Sequence, residues 1–180
     1  MANLTAHPTS IDGLWTLEMR LFEDDRGSVM EFYRESDFVA AGLPSLGERP
    51  QVNAPWTVPG AIRGIHAEFA HKYLAVASGM AYAAIVDLRK ESPTFGNWLG
   101  FTLCRGQGLF VSKGIGNSFQ CIGQEPSVYL YYFELEWSPG MDGLYVNPLD
   151  PDLAIDWPIK EGDGMVVSDK DNNHPFLRDL

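Results

Sequence analysis

AIRGIHAEFAHKYLAVASGMAYAAIVDLR, residues 61–89, holds three short apolar runs and almost no helical periodicity. AIRGIHAEF and KYLAVAS are rich in β-branched, aromatic and small apolar residues, and MAYAAIVDLR repeats the texture after Gly79. Short runs of this composition, bounded by turn residues, read as strands, with Gly79 as a tight bend between the last two. The same texture extends outward. GLWTLEMRLF alternates before the acidic turn EDDRG, GSVMEFY follows, and LPSLGERP is a Pro/Gly-rich loop. Downstream come NWLGFTLC, GLFVSKG, NSFQCIG and VYLYYFELEW. The best helix is SDFVAAGL, with Ser36 as N-cap and Gly42 as the stop. About nine or ten short strands, punctuated by 18 glycines and 12 prolines, indicate an all-β chain, and at this size an antiparallel jelly roll. From Asn147 the texture changes to NPLDPDLAIDWPIKEGDG, a loop-rich tail expected to wrap the outside. One domain over residues 1–180 is expected.

The chain is acidic, with net charge −11 and pI about 4.6. A nucleic acid or an anionic membrane needs a basic surface to displace counterions, so neither is an expected partner. An anionic small molecule needs only a few arginines gathered in one pocket. Cys104 and Cys121 form no CxxC pair, and each reads as a buried apolar filler. MANLTAHPTSIDGLW has neither a basic n-region nor an apolar h-region. The longest apolar run, YLAVASGMAYAAIV, is broken at Ser78 and Gly79 and is too short to span a bilayer. A cytoplasmic protein is the expectation.

Residues 63–72 carry two of the four histidines, with Arg63, His66, Glu68, His71 and Lys72 close together. Three readings compete. For a metal site, His66 and Glu68 lie two apart and share a strand face, as ligation needs. His71 would face the other way, Asn117 stands in the later hairpin SKGIGNSFQ where a histidine is wanted, and His7 and His174 lie near the termini. No third nitrogen is evident, so a transition metal is not expected. For proton transfer, His66 in an apolar strand between Arg63 and Lys72 suits a general base with cationic support. The bland alternative is a hydrogen-bonded core histidine, and this stretch alone favours it. Tyr131, in an alternating aromatic strand, reads first as core. EDDRG reads as a solvated hairpin and SDKD, residues 168–171, as a surface turn.

In order along the chain, FEDDRGSVMEFY, QVNAPWTVPGAIRGIHAE, KYLAVASG, VDLRKESPTFGNW, YLYYFELEWSP, NPLDPDLAIDWP and SDKD resemble the dTDP-4-dehydrorhamnose 3,5-epimerase family. The likeness runs from Phe22 to about Leu177, and the RGIH and VDLRKESPTFGNW blocks are its most specific parts. It implies a cupin-type jelly roll that epimerises a nucleotide-diphospho-4-keto-6-deoxyhexose at C3, and at C5 in the bifunctional members, without metal or organic cofactor. It also implies a homodimer in which Arg26 serves the partner's pocket.

By this resemblance His66 is the base that removes the proton beside the 4-keto group. Asp171 is its carboxylate partner, Tyr131 delivers a proton from the opposite face, and Lys72 lies near the keto oxygen. Arg26 and Arg63 correspond to the arginines that hold the diphosphate. Gln51 and Asn53 match polar pocket residues, and Glu31 matches the acid after the DRG turn. Five positions depart from the family's pattern: Glu68 replaces a glutamine, Asn117 a histidine, Ala83 an aspartate, Trp137 a tyrosine near the base and Val29 an aromatic beside it. They leave the proton-transfer residues in place and alter the shell around them. A second reading is therefore a non-catalytic jelly roll that binds a nucleotide sugar or assembles with a partner. A third is a metal-dependent cupin oxygenase or isomerase. The presence of His66, Lys72, Tyr131 and Asp171 together favours the epimerase.

Overall fold

The fold is taken from a computed structural model that describes residues 3–180. In chain order the strands are β1 (Leu4–Pro8), β2 (Leu14–Met19), β3 (Leu21–Asp24), β4 (Gly27–Met30), β5 (Gln51–Asn53), β6 (Trp56–Thr57), β7 (Ala61–Glu68) and β8 (Lys72–Ser78). They continue with β9 (Ala81–Asp87), β10 (Trp98–Leu103), β11 (Gln107–Val111), β12 (Ile115–Cys121), β13 (Ser127–Phe133), β14 (Gly143–Tyr145) and β15 (Val166–Val167). Two short helices, α1 (Glu35–Ala40) and α2 (Asp169–Asn172), and a terminal 3₁₀ turn at Leu177–Asp179 complete the elements.

Two sheets face each other as in a cupin jelly roll. One has the order β1-β2-β11-β8-β13-β5, with β6 continuing along β13, and the other β10-β9-β12-β7-β14, with β15 beside β7. Among the described residues all pairings between strands are antiparallel except β15 with β7, which is parallel. The core between the sheets is built from Leu74 and Val76 of β8, Ala83 and Ile85 of β9, Leu109 and Val111 of β11, Phe119 of β12 and Tyr129 of β13. Alternate residues point the other way and are covered too. Tyr73 and Ala75 pack under Phe38, Leu43 and Leu46 of the α1 region, and Ala84 and Val86 lie beneath the tail through Trp157 and Leu153. Burial on both faces explains the nearly unbroken apolar runs of residues 73–88. Each fully buried Leu or Ile side chain contributes about 1.5–3 kcal/mol.

Several local expectations change. GLWTLEMRLF is one run in sequence but two strands, because after Met19 the chain leaves the large sheet and β3 pairs only with β4. β1, β5, β6, β14 and β15 had no strand signature; they are short, and tertiary pairing makes them strands. Helix α1 starts earlier than expected. Arg34 is its N-cap, without a side-chain cap, and Ser36 lies inside the first turn. Its N-terminal charge comes instead from Glu35 and Asp37. Gly42 is the stop, at φ +83°, with Gly42 N–H donating to Val39 O and Leu43 N–H to Phe38 O, both at 3.0 Å. Cys121 is buried, but Cys104 is exposed at the end of β10 and is no filler. Gly79 makes the β8–β9 bend at φ +77°. No described helix is long and apolar enough to cross a membrane.

Candidate active site

Strand β7 positions the first wall. Ile62, Ile65 and Ala67 point outward beneath the tail, while Arg63, His66 and Glu68 line a cavity between the sheets. Strict alternation would put Arg63 and His66 on opposite faces. A bulge resolves this, because His66 pairs with Asn117 and Arg63 with Phe119, so that three residues on β7 span two on β12. Gly64 is the extra residue, at φ +121°, and a Cβ there would lie 2.5 Å from Ser118 Cβ and 2.6 Å from Asn117 O. Only glycine fits at this position.

The tail delivers the second component. Gln120 in β12 exchanges hydrogen bonds with the backbone of Ile159, and Asn147 Nδ2 donates to Asn172 O at 2.6 Å. These contacts dock the tail so that α2 lies against β7. Ser168 caps α2, its Oγ accepting from Asp171 N–H at 3.1 Å. SDKD is therefore not a surface turn, since Asp171 is buried and its Oδ1 lies 2.8 Å from His66 Nε2. Burial works against the ionised carboxylate. The hydrogen bond and charge of His66, with Gly64 N–H donating to Oδ2 at 3.4 Å, outweigh it and hold the Asp171 pKa below the ordinary value. A carboxylate on Nε2 places the imidazole proton there and leaves the lone pair on Nδ1.

The opposite sheet supplies Tyr131 and Phe133 from β13 and Lys72 from the start of β8. With Asn117, Phe119 and the β7 residues they enclose about 110 Å³. Burial raises the Tyr131 pKa, Arg63 opposing and Glu68 adding to the effect, so the phenol is protonated at neutral pH. Lys72 is buried in an ion pair with Glu68, and its Nζ donates to His66 O at 3.0 Å. Burial pulls the ammonium pKa down, with Glu68 opposing; Glu68 in turn stays below its ordinary value despite burial because Lys72 is beside it. Arg63 Nε donates to Thr57 Oγ1 at 3.0 Å, which fixes the guanidinium at the cavity wall.

Of the sequence-predicted residues, His66, Asp171, Tyr131, Lys72, Arg63, Glu68 and Asn117 meet at this cavity. Asn117 Oδ1 accepts from Tyr129 OH at 3.2 Å. Gln51, Asn53 and Trp137 lie outside the lining: Gln51 bonds Asn53 and the Trp137 N–H, and Asn53 pairs with Tyr131 across the strands. Arg26 and Glu31 are not brought to it within this chain. Arg26 is exposed in the β3–β4 turn and paired with Asp24, and Glu31 is paired with Arg34. His71 stands in the β7–β8 turn against Phe110, away from the cavity.

One expectation is overturned. A nitrogen is available beside the pair after all, because the turn that follows α2 carries His174 Nε2 to 3.5 Å from Asp171 Oδ1. Tyr145 was also missed; its ring stands edge-on to His66 at 5.4 Å and stacks on His174 at 5.3 Å. Neither had a local signal, since both reach His66 only through the folding of the tail.

A family model described as dTDP-4-dehydrorhamnose 3,5-epimerase matches residues 8–179. A dTDP-4-dehydrorhamnose 3,5-epimerase from Mycobacterium tuberculosis is 31% identical over 98% of this chain and 89% of its own length. A dTDP-4-dehydro-6-deoxyglucose 3-epimerase from Streptomyces bikiniensis is 33% identical over 95% and 88%. Among solved structures, RmlC from Streptococcus suis in complex with dTDP-D-xylose superposes with a TM-score of 0.90 at 32% identity, covering 98% of this chain and 93% of the other.

Proposed function

We propose, for a chain that belongs to the dTDP-4-dehydrorhamnose 3,5-epimerase family and is thereby a carbohydrate isomerase, that the cavity inverts C3 of a nucleotide-diphospho-4-keto-6-deoxyhexose by proton transfer between His66 and Tyr131. A carbonyl acidifies the hydrogens on its neighbouring carbons, and a positioned imidazole removes one. Asp171 holds His66 in the tautomer whose Nδ1 accepts the proton, and stabilises the imidazolium that results. Charge then develops on the keto oxygen, where Lys72 is the available cation. Tyr131 returns a proton from the opposite wall, with Arg63 near enough to stabilise the tyrosinate. Inversion at C5 follows the same chemistry when the sugar presents that carbon to the same pair.

The observation that carries this reading is the placement of His66 and Tyr131 on facing walls of one cavity, with a carboxylate on the histidine's far nitrogen. The enclosed space is well below the several hundred Å³ typical of whole-ligand pockets. It suits the sugar, and the nucleotide then lies along the rim where Gln51, Asn53 and Trp137 stand. dTDP is the nucleotide to test first, because the relatives' names carry it. Incubation of dTDP-4-keto-6-deoxyglucose with the protein should yield a product epimeric at C3 by NMR coupling constants. Unchanged starting sugar would contradict the reading.

A homodimer accompanies it. The β3–β4 hairpin pairs with no other strand among the described residues, carries the exposed Arg26, and presents exposed Phe22 and Val29. A second copy receiving this hairpin brings Arg26 to a diphosphate, and light scattering should give twice the chain mass. We place the protein in the cytoplasm, where nucleotide sugars are made.

A further inference from the structure

His66, Asp171 and His174 bring two imidazole nitrogens and a carboxylate oxygen within 4.8 Å of one another, and we propose that they form a binding site for one zinc-type divalent transition-metal ion, whose occupancy switches the proton-transfer pair off. The site goes beyond the epimerase reading; only its inhibitory consequence rests on that reading.

Geometry supports the site first. His66 Nε2 and His174 Nε2 lie 2.8 and 3.5 Å from Asp171 Oδ1. Zinc held at about 2.0–2.2 Å by nitrogen and oxygen ligands in a tetrahedron separates those ligand atoms by roughly 3.3 Å. Modest rotations of the three side chains therefore suffice. His174 Nε2 is buried and, among the described residues, has no polar partner closer than Asp171 Oδ1 at 3.5 Å. A buried polar atom left without a good partner is costly, so a ligand for this nitrogen is favoured.

The ring is also held in place, stacked on Tyr145 with 25° between the planes and edge-on to His66 at 5.9 Å. Two imidazoles and a carboxylate suit zinc, nickel or copper rather than magnesium or calcium, which prefer oxygen ligands. Entry is open, because His66 and Asp171 line the substrate cavity. An incoming ion takes the Nε2 lone pair of the other neutral tautomer of His66: Nε2 gives up its proton to solvent, Nδ1 takes one from solvent, and the ion stands against Asp171. With Nδ1 protonated and a cation on Nε2, His66 no longer serves as a base.

The test uses the full chain carrying Cys104→Ser, since the exposed thiol would bind zinc on its own account. Chelator-stripped protein is titrated with zinc chloride by calorimetry, and proton exchange on the keto sugar is followed in parallel. One ion per chain should bind, exchange should stop as the site fills, and chelator should restore it. His174→Ala should weaken zinc binding at least about tenfold while metal-free exchange persists. His174→Gln serves the same purpose if the alanine variant does not melt as a native protein. Unchanged zinc affinity in a folded His174 variant, or no binding at all, overturns the site. Calorimetry reads the ion without turnover, so zinc binding through His174 in a protein that exchanges no proton would contradict the epimerase reading and leave the metal site standing.

Discussion

Lys72 is buried against Glu68, four residues earlier in the chain, and the same ammonium donates to the backbone carbonyl of His66. The cation proposed to face the keto oxygen is therefore tied both to an acid and to the strand that carries the proposed base. Removing it alone strands a buried carboxylate. Lys72→Met should cost about 3–5 kcal/mol of stability, and Lys72→Met with Glu68→Gln much less, because the second change removes the orphaned charge. Urea melts of both proteins would show it. Equal losses in the single and double variants would mean that the two side chains do not share a buried pair.

The His66–Asp171 contact makes a separate prediction about rate. Asn in place of Asp171 preserves the shape but presents an amide to an imidazole that needs a carboxylate. Asp171→Asn should melt within a few degrees of the parent and lose on the order of 10³–10⁴ in turnover. A variant that folds and retains near-parental turnover would remove Asp171 from the mechanism.

Much of the fold was legible because burial on both faces writes strands as apolar runs bounded by glycine. The edges were not. β5, β6 and β15 are two or three residues long and exist only because a neighbour pairs with them. VDLRKESPTFGNW, specific enough to suggest a family, is architectural: Asp87 accepts from Arg89, Ser92 and Thr94 and folds the turn between β9 and β10. The proposed chemistry lies elsewhere, in residues brought together by the bulge at Gly64 and the docking of the tail. Resemblance pointed to His66, Asp171 and Tyr131, but no spacing pointed to His174, whose place depends on α2.

That turn gives a pH prediction. Burial alone would raise the Asp87 pKa; the hydrogen bonds from Arg89, Ser92 and Thr94 outweigh it and hold the value far below the ordinary one. A depressed folded-state pKa contributes stability above the unfolded-state value of about 4, lost as pH falls from about 5. Asp87→Asn should cost about 2 kcal/mol at pH 7 and flatten the decline in melting temperature between pH 6 and pH 3. A variant whose decline parallels the parent's would show that Asp87 does not carry this acid sensitivity.

The central claim is that His66 removes a proton beside a ketone and that Tyr131 faces it. Its most direct measurement is NMR of dTDP-4-keto-6-deoxyglucose in D₂O with the parent protein, His66→Ala and Tyr131→Phe. The account predicts deuterium at C3 with the parent and none above background with His66→Ala. Tyr131→Phe should form the inverted product far more slowly, because the face opposite the base has lost its acid. Deuterium entering C3 as fast with His66→Ala as with the parent, or no exchange by the parent, would contradict it.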